Sequence, residues 1–366
     1  MSNIKVYAEK VVTPCGIYET ISDDFCVNNV IHDFTKISEE NAKKFQDGLI
    51  AANKMHHLYH DGSYDNGTCV INSLIMSLFS SKSTREAINK ISEMKNGKEY
   101  ANKMVATKIQ KLFKFIVDGN YTIDEYYQSI QELEDVYVDR YCASVSDDYD
   151  EYMDTLSSVK NDKDFSLKGL ITVPKIYTRF LNSLKYEMDN ILGYATFNTN
   201  IPIIEVSHKY LPFTTETDNE EITLGIELNT DLSVQQNIEK ITKEHYKEIG
   251  QRVSYKYLPK CLIIAAPVKN NQFEHRKFEE QLKFTDGSIT KIYRLVSTIT
   301  CWQVNGDHNR NEILTQDGWY FMDSLGNCKK KYKIILKEDH PETKEINQDY
   351  RAYVFYELVQ EIGINS

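Results

Sequence analysis

No apolar run in this chain is long enough to cross a bilayer. The longest, Cys261 to Val268, falls far short of the roughly 20 residues that a spanning helix needs. Met1 to Lys10 contain no apolar stretch of the kind that marks a secretory signal. Cysteine is sparse and unpatterned: seven residues, an odd number, with no Cys-x-x-Cys pair, which argues against both a disulfide framework and a cysteine-based zinc site. A reducing compartment is therefore expected, the cytoplasm, or that of a host cell for a pathogen's protein. Basic charge is in deficit, with 43 Lys and Arg against 54 Asp and Glu, a net charge of −11. A nucleic-acid partner held by a basic face is not expected, nor is a membrane; a basic protein surface is the easier partner. Proline and glycine are also few, and no functional meaning attaches to that.

What is present suits a globular protein. The 366 residues are enough for one large domain or two closely packed lobes, and 41% hydrophobic with 27% charged residues is ordinary for such a chain. Helical periodicity predicts helices over about 38–59, 69–79, 84–117, 122–137 and 176–191. The acidic, serine-rich segment 146–164 reads as a connecting loop. From about Tyr194 the texture changes to short β-branched or aromatic runs separated by turn residues: 201–206, 222–228, 258–265, 293–300 and 318–322. Residues 354–362 fit a strand or a helix. The pattern predicts an α+β chain, a helical half followed by a mostly antiparallel sheet.

One segment carries chemistry. Cys69 stands just after Gly67 and just before the helical run containing Ile71, Leu74, Ile75 and Leu78. Backbone N–H groups and the positive end of a helix dipole then face the sulfur and favour thiolate. A thiol nucleophile needs a base and a group that orients the base. The sheet half offers both: His308 lies in the turn-rich Asn305-Gly306-Asp307-His308-Asn309, and Asp323 closes the aromatic run Trp319-Tyr320-Phe321-Met322. On adjacent strands of a hairpin the two side chains can meet.

These segments together resemble the ubiquitin-specific protease family. Thr68, Cys69, Asn72, Ser73 and Leu78 match its cysteine box, Gly-Asn-Thr-Cys-Tyr-x-Asn-Ser-x-x-x-x-Leu. Tyr257-Leu258-Pro259-Lys260-Cys261-Leu262-Ile263-Ile264 is similar to its Leu-Pro-x-x-Leu-x-Ile strand, and Tyr293-Arg294-Leu295-Val296 to the strand that leads into its histidine box. His308 and Trp319 to Asp323 resemble that box, where the third catalytic residue follows Trp by four. The resemblance implies a papain-like cysteine protease fold, with a helical thumb, a mostly antiparallel β palm and reduced fingers. It implies an N-terminal extension over 1–60 and a catalytic domain over 61–366, with the thumb at 61–160 and the palm and fingers at 161–366. It further implies a thiol-dependent deubiquitinating enzyme without a cofactor. Its partner would be ubiquitin or a ubiquitin-like protein, and its triad Cys69, His308 and Asp323. Oligomeric state is left open.

The pattern is broken in places. Tyr64 occupies the family's oxyanion-hole Asn position, five residues before the cysteine, so Asn66 becomes the candidate donor, with the Cys69 N–H. Gly-His-Tyr becomes Asp307-His308-Asn309; Asp307 and Trp319 are the candidate substrate contacts. The Gln-Gln-Asp-Ala-x-Glu-Phe box survives only as Phe180, Leu181, Leu184 and Glu187, and the four zinc-binding cysteines of the fingers are missing. His56 and His60, one helical turn apart with Asp61 alongside, could chelate zinc, but no third ligand has an evident spacing, and no metal is expected. Two other readings remain: a non-catalytic ubiquitin-binding scaffold of the same fold, and another papain-like cysteine hydrolase or a transglutaminase.

Overall fold

The computed structural model describes residues 9–13, 16–20, 37–60, 67–93, 104–160, 259–265, 279–285, 289–302, 308–324, 328–331 and 349–363, with shorter pieces within 162–198, 227–239 and 268–273. The helices described along their whole length are α1 (Glu39–Gly48), α2 (Cys69–Ser80), α3 (Lys82–Glu93), α4 (Val105–Asp118), α5 (Ile123–Val145) and α6 (Tyr149–Val159), all ahead of the main sheet. Local capping starts three of them. Ser38 accepts from the Asn41 N–H, Thr122 and Glu125 form a reciprocal capping box, and Asp148 accepts from the Glu151 N–H. The last cap corrects the reading of 146–164 as a loop: Asp148, Asp150 and Glu151 are an acidic first turn that complements the helix dipole. Residues 38–59 also depart from a single helix. They form α1, a short 3₁₀ turn at Ala52–Lys54 and an irregular stretch up to His60. That stretch is core, with Leu49, Ala52, Met55 and Leu58 all buried.

Four other helix ends are tied by side chains from outside the helix. Glu187 accepts from the Val105 and Ala106 N–H groups at 2.7 Å each, closing the start of α4. Glu357 accepts from the Ser81 hydroxyl at 2.5 Å and the Ser83 N–H at 3.0 Å, fastening the start of α3. Arg85 donates to the carbonyls of Phe79 and Ser80 at the end of α2, and to that of Gly48 at the end of α1. Unpaired terminal carbonyls carry partial negative charge, so one guanidinium gathers the ends of two helices.

The strands are β1 (Glu9–Thr13), β2 (Gly16–Thr20), β3 (Leu192–Asn198), β4 (Glu227–Asn229), β5 (Cys261–Ala265), β6 (Val268–Lys269), β7 (Gln272–Phe273), β8 (Gln281–Thr285), β9 (Ile289–Trp302), β10 (His308–Thr315), β11 (Gly318–Asp323), β12 (Cys328–Lys331) and β13 (Asp349–Gly363). The main sheet runs β12-β11-β10-β9-β13-β5-β3-β4, and β8 also pairs with β9. Most pairings are antiparallel; β3 lies parallel to both β5 and β4. Long β9 is the spine. It pairs with β13 along one edge, and with β8 and then β10 along the other. Residues 354–362 lie in a strand, and the predicted segment 201–206 lies outside the described residues.

Helix α2 packs on β9 and β10 and is buried at every position. A helix that is apolar or small on all sides belongs in an interior, and this one lies between the sheet and α3, α4 and α5. Replacing Arg85 with Met keeps the aliphatic stem and removes the charge-assisted bonds. We predict a loss of about 2–4 kcal/mol in urea unfolding; an unchanged midpoint would mean that the helix ends do not depend on it.

Candidate active site

Cys69 is the first residue of α2, and its preceding cap residue, Thr68, makes no side-chain bond to the helix N–H groups. The Thr68 hydroxyl instead donates to the Tyr59 carbonyl at 3.1 Å. The Asn72 amide donates to that carbonyl at 2.8 Å and accepts from the Tyr126 hydroxyl at 2.6 Å. Asn72 and Tyr126 are buried, so this network fixes residues 59–60 against the start of α2. Tyr126 had no signal beyond a plain aromatic.

On the sheet side, His308 begins β10 and Asp323 ends β11. The β10–β11 register closes at Asn311↔Met322, so Asp323 stands diagonal to His308, two residues further along. His308 Nε2 and Asp323 Oδ1 are 2.6 Å apart. With Nε2 engaged, Nδ1 is the nitrogen left to face Cys69, to which the His308 ring is hydrogen-bonded. Burial of the ring disfavours its charge, but the bonds to Asp323 and Cys69 outweigh that and raise the His308 pKa to about 9. The other free cysteines among the described residues are Cys261 and Cys142. Burial, with Glu357 adding to it, pushes the Cys261 thiol up to about 12, and burial also raises that of Cys142. Those two are packing residues.

The two halves are set against each other by Asn311, three residues into β10 from His308. Its buried amide donates to the Ser73 carbonyl and to the Ser77 hydroxyl, each at 2.8 Å. Ser77 Oγ also lies 2.8 Å from Ser297 Oγ on β9. Ser73 is one helical turn beyond Cys69, so this clamp sets the distance between Cys69 and His308.

His60 completes the cluster. Its ring stacks on that of His308, with centroids 5.6 Å apart and planes 16° from parallel, and its Nδ1 accepts from the Thr68 N–H at 3.2 Å. One ring nitrogen of each histidine and the Cys69 sulfur lie within 4.8 Å of one another. The helical His56–His60 pair expected from the spacing does not form: residues 55–60 are not helical. His56 instead lies over Gly119, the left-handed residue that ends α4 at φ 62°, where a Cβ would fall 2.5 Å from the imidazole.

Cys69, His308 and Asp323 are thus brought together. Trp319 stands apart, near the other end of β11 from Asp323, half-buried and paired with Leu314. Asn66, Asp307 and Asp61 lie outside the described residues. Glu187 faces inward to α4, with its side chain 1% exposed.

No family model and no curated protein matches the chain. Among solved structures it is similar to the Saccharomyces cerevisiae Pan2 pseudoubiquitin hydrolase–RNA exonuclease module in complex with AAGGAA RNA. That likeness has 10% identity and a TM-score of 0.45 over 92% of this chain and 56% of that one. Another structure of the Pan2 module aligns at 12% identity and a TM-score of 0.42, covering 84% and 53%. An essential yeast splicing factor aligns at 10% and 0.41, covering 87% and 75%. The chain spans little more than half the length of the Pan2 chains. At these identities and scores the likenesses carry no argument about chemistry.

Two measurements test the geometry. Asn311→Ala should cost about 1–3 kcal/mol in urea unfolding, since it strips a buried clamp of its donor; a neutral effect would remove Asn311 from that role. A His308 pKa raised from 6.5 to about 9 gives stability that is fully present below about pH 6.5 and lost as pH rises through about 9. The stability gap between wild type and Asp323→Asn should therefore be largest near pH 6, at most about 3 kcal/mol, and shrink by pH 10. A gap independent of pH would show that Asp323 does not hold the imidazolium.

Proposed function

We propose that the chain is a papain-like thiol hydrolase that cleaves the bond after the C-terminal glycine of ubiquitin or a ubiquitin-like modifier. The observation that carries this reading is the relay from Cys69, at the positive end of a buried helix, through His308 to Asp323. A thiol so placed has an imidazole within hydrogen-bond reach to take its proton. The modifier itself rests on the resemblance of the Cys69, Leu258-Pro259 and His308 segments to the ubiquitin-specific proteases.

In this reading the Cys69 thiolate attacks the glycine carbonyl while His308 carries the proton. The tetrahedral oxyanion forms near the Cys69 N–H, with the Asn66 amide as the second donor. His308 then protonates the departing lysine amine, and the C–N bond breaks to leave a thioester. The now neutral His308 takes a proton from water, which attacks the thioester; the carboxylate leaves and the proton returns to the sulfur–imidazole pair. Asp323 holds the ring in orientation throughout.

A second reading, a non-catalytic ubiquitin-binding scaffold, is favoured by one observation: Cys69 is only 1% exposed. Ubiquitin bearing a C-terminal thiol-reactive group separates the two. Wild type should form an adduct that Cys69→Ala does not. Folded wild type that binds ubiquitin without an adduct would establish the scaffold instead. With a cleavable fluorogenic ubiquitin amide, Asp323→Asn should lower kcat by roughly 10²–10⁴-fold with little change in KM. An unchanged kcat would remove Asp323 from the triad.

A further inference from the structure

We propose that His60, Cys69 and His308 form a three-ligand site for a borderline-soft divalent cation of the zinc class, its fourth position open to water. The donor set is one sulfur and two imidazole nitrogens, which suits zinc and its close neighbours and not magnesium or calcium. The three ligand atoms already lie within 4.8 Å of one another. Tetrahedral ligands about 2.0–2.3 Å from a metal stand roughly 3.3–3.8 Å apart, so closing on an ion takes about 1 Å of side-chain movement.

One feature favours such an ion, and one contact gives way to it. His308 Nε2 sits 2.6 Å from Asp323 Oδ1, leaving Nδ1 toward Cys69; a carboxylate behind a ligating imidazole fixes the ring and raises its basicity. His60 Nδ1 accepts the Thr68 N–H at a long 3.2 Å, and on binding its one lone pair turns from that N–H to the ion. The ligands come from three segments: the irregular stretch before α2, the first residue of α2 and the first residue of β10. All three are buried or half-buried, so folding pre-organises the site. Binding expels one proton, the one that Cys69 Sγ and His308 Nδ1 share. The ion then occupies both the nucleophilic sulfur and the base nitrogen, so the metal-bound and thiol-reactive states exclude each other. This inference does not depend on ubiquitin being the substrate.

The reduced full-length protein is titrated with cobalt(II) and followed by absorption. The expected result is one equivalent bound, with intense tetrahedral visible bands and a thiolate-to-cobalt charge-transfer band, all displaced by zinc. Cys69→Ala should lose the charge-transfer band. His60→Ala and His60→Gln, checked for folding by circular dichroism, should bind at least about tenfold more weakly, and Asp323→Asn about 10–100-fold. Zinc should also slow iodoacetamide labelling of wild-type Cys69. Folded wild type without a charge-transfer band overturns the proposal. So does unchanged cobalt affinity in both His60 variants, which would place the ion on the Cys69–His308 pair alone.

Discussion

The amide of Asn311 holds the two halves of this molecule in register. It reaches from β10 into the side of α2, meeting the Ser73 carbonyl and the Ser77 hydroxyl, while Ser77 is in turn held by Ser297 on β9. A hydrophobic interface alone would let a helix slide or roll over a sheet at little cost, because dispersion contacts are numerous and non-directional. A buried amide cannot move without leaving polar atoms unsatisfied in an apolar interior. The residues that would do the chemistry sit within a few positions of this clamp, Cys69 one helical turn before Ser73 and His308 three residues before Asn311. Precision at the cleft therefore follows from a polar contact behind it.

The same device recurs at the helix ends. Glu187, Glu357 and Arg85 each close orphaned backbone groups on an element far away in sequence. Each is buried or half-buried and carries a corresponding penalty. Burial raises the Glu357 and Glu187 pKa values and lowers that of Arg85 to about 10. Such groups are retained where directional bonds matter more than the cost of desolvation. For Glu187, a residue within a segment resembling a substrate-contacting box is turned inward to serve α4.

Much of this was legible in the chain because it is local. The helical repeat of Ile71, Leu74, Ile75 and Leu78 states α2, and the aromatic run before Asp323 states β11. His308 and Asp323 are separated by a single hairpin, so their meeting needs only an antiparallel register. What escaped was tertiary or easily misread. The acidity of 146–151 looked like a solvated loop, yet acidic residues are equally favoured in a helix's first turn, and only the Asp148 cap tells the two apart. The four-residue spacing of His56 and His60 suggested a helix face; the backbone there is not helical, and the two rings go to different neighbours. Asn311 and Tyr126 look ordinary in sequence because their partners lie 238 and 54 residues away.

The burial of α2 on every side has a consequence for synthesis. Its partner strands β9 and β10 follow it by more than 200 residues, and the Ser73–Asn311 bond spans 238. At ribosomal rates of about 5–20 residues per second, those residues take roughly 12–48 s to emerge. For that interval the side of α2 that packs on β9 and β10 is without its cover. Cys69 spends the same interval apart from His308, and the two meet only when the sheet arrives.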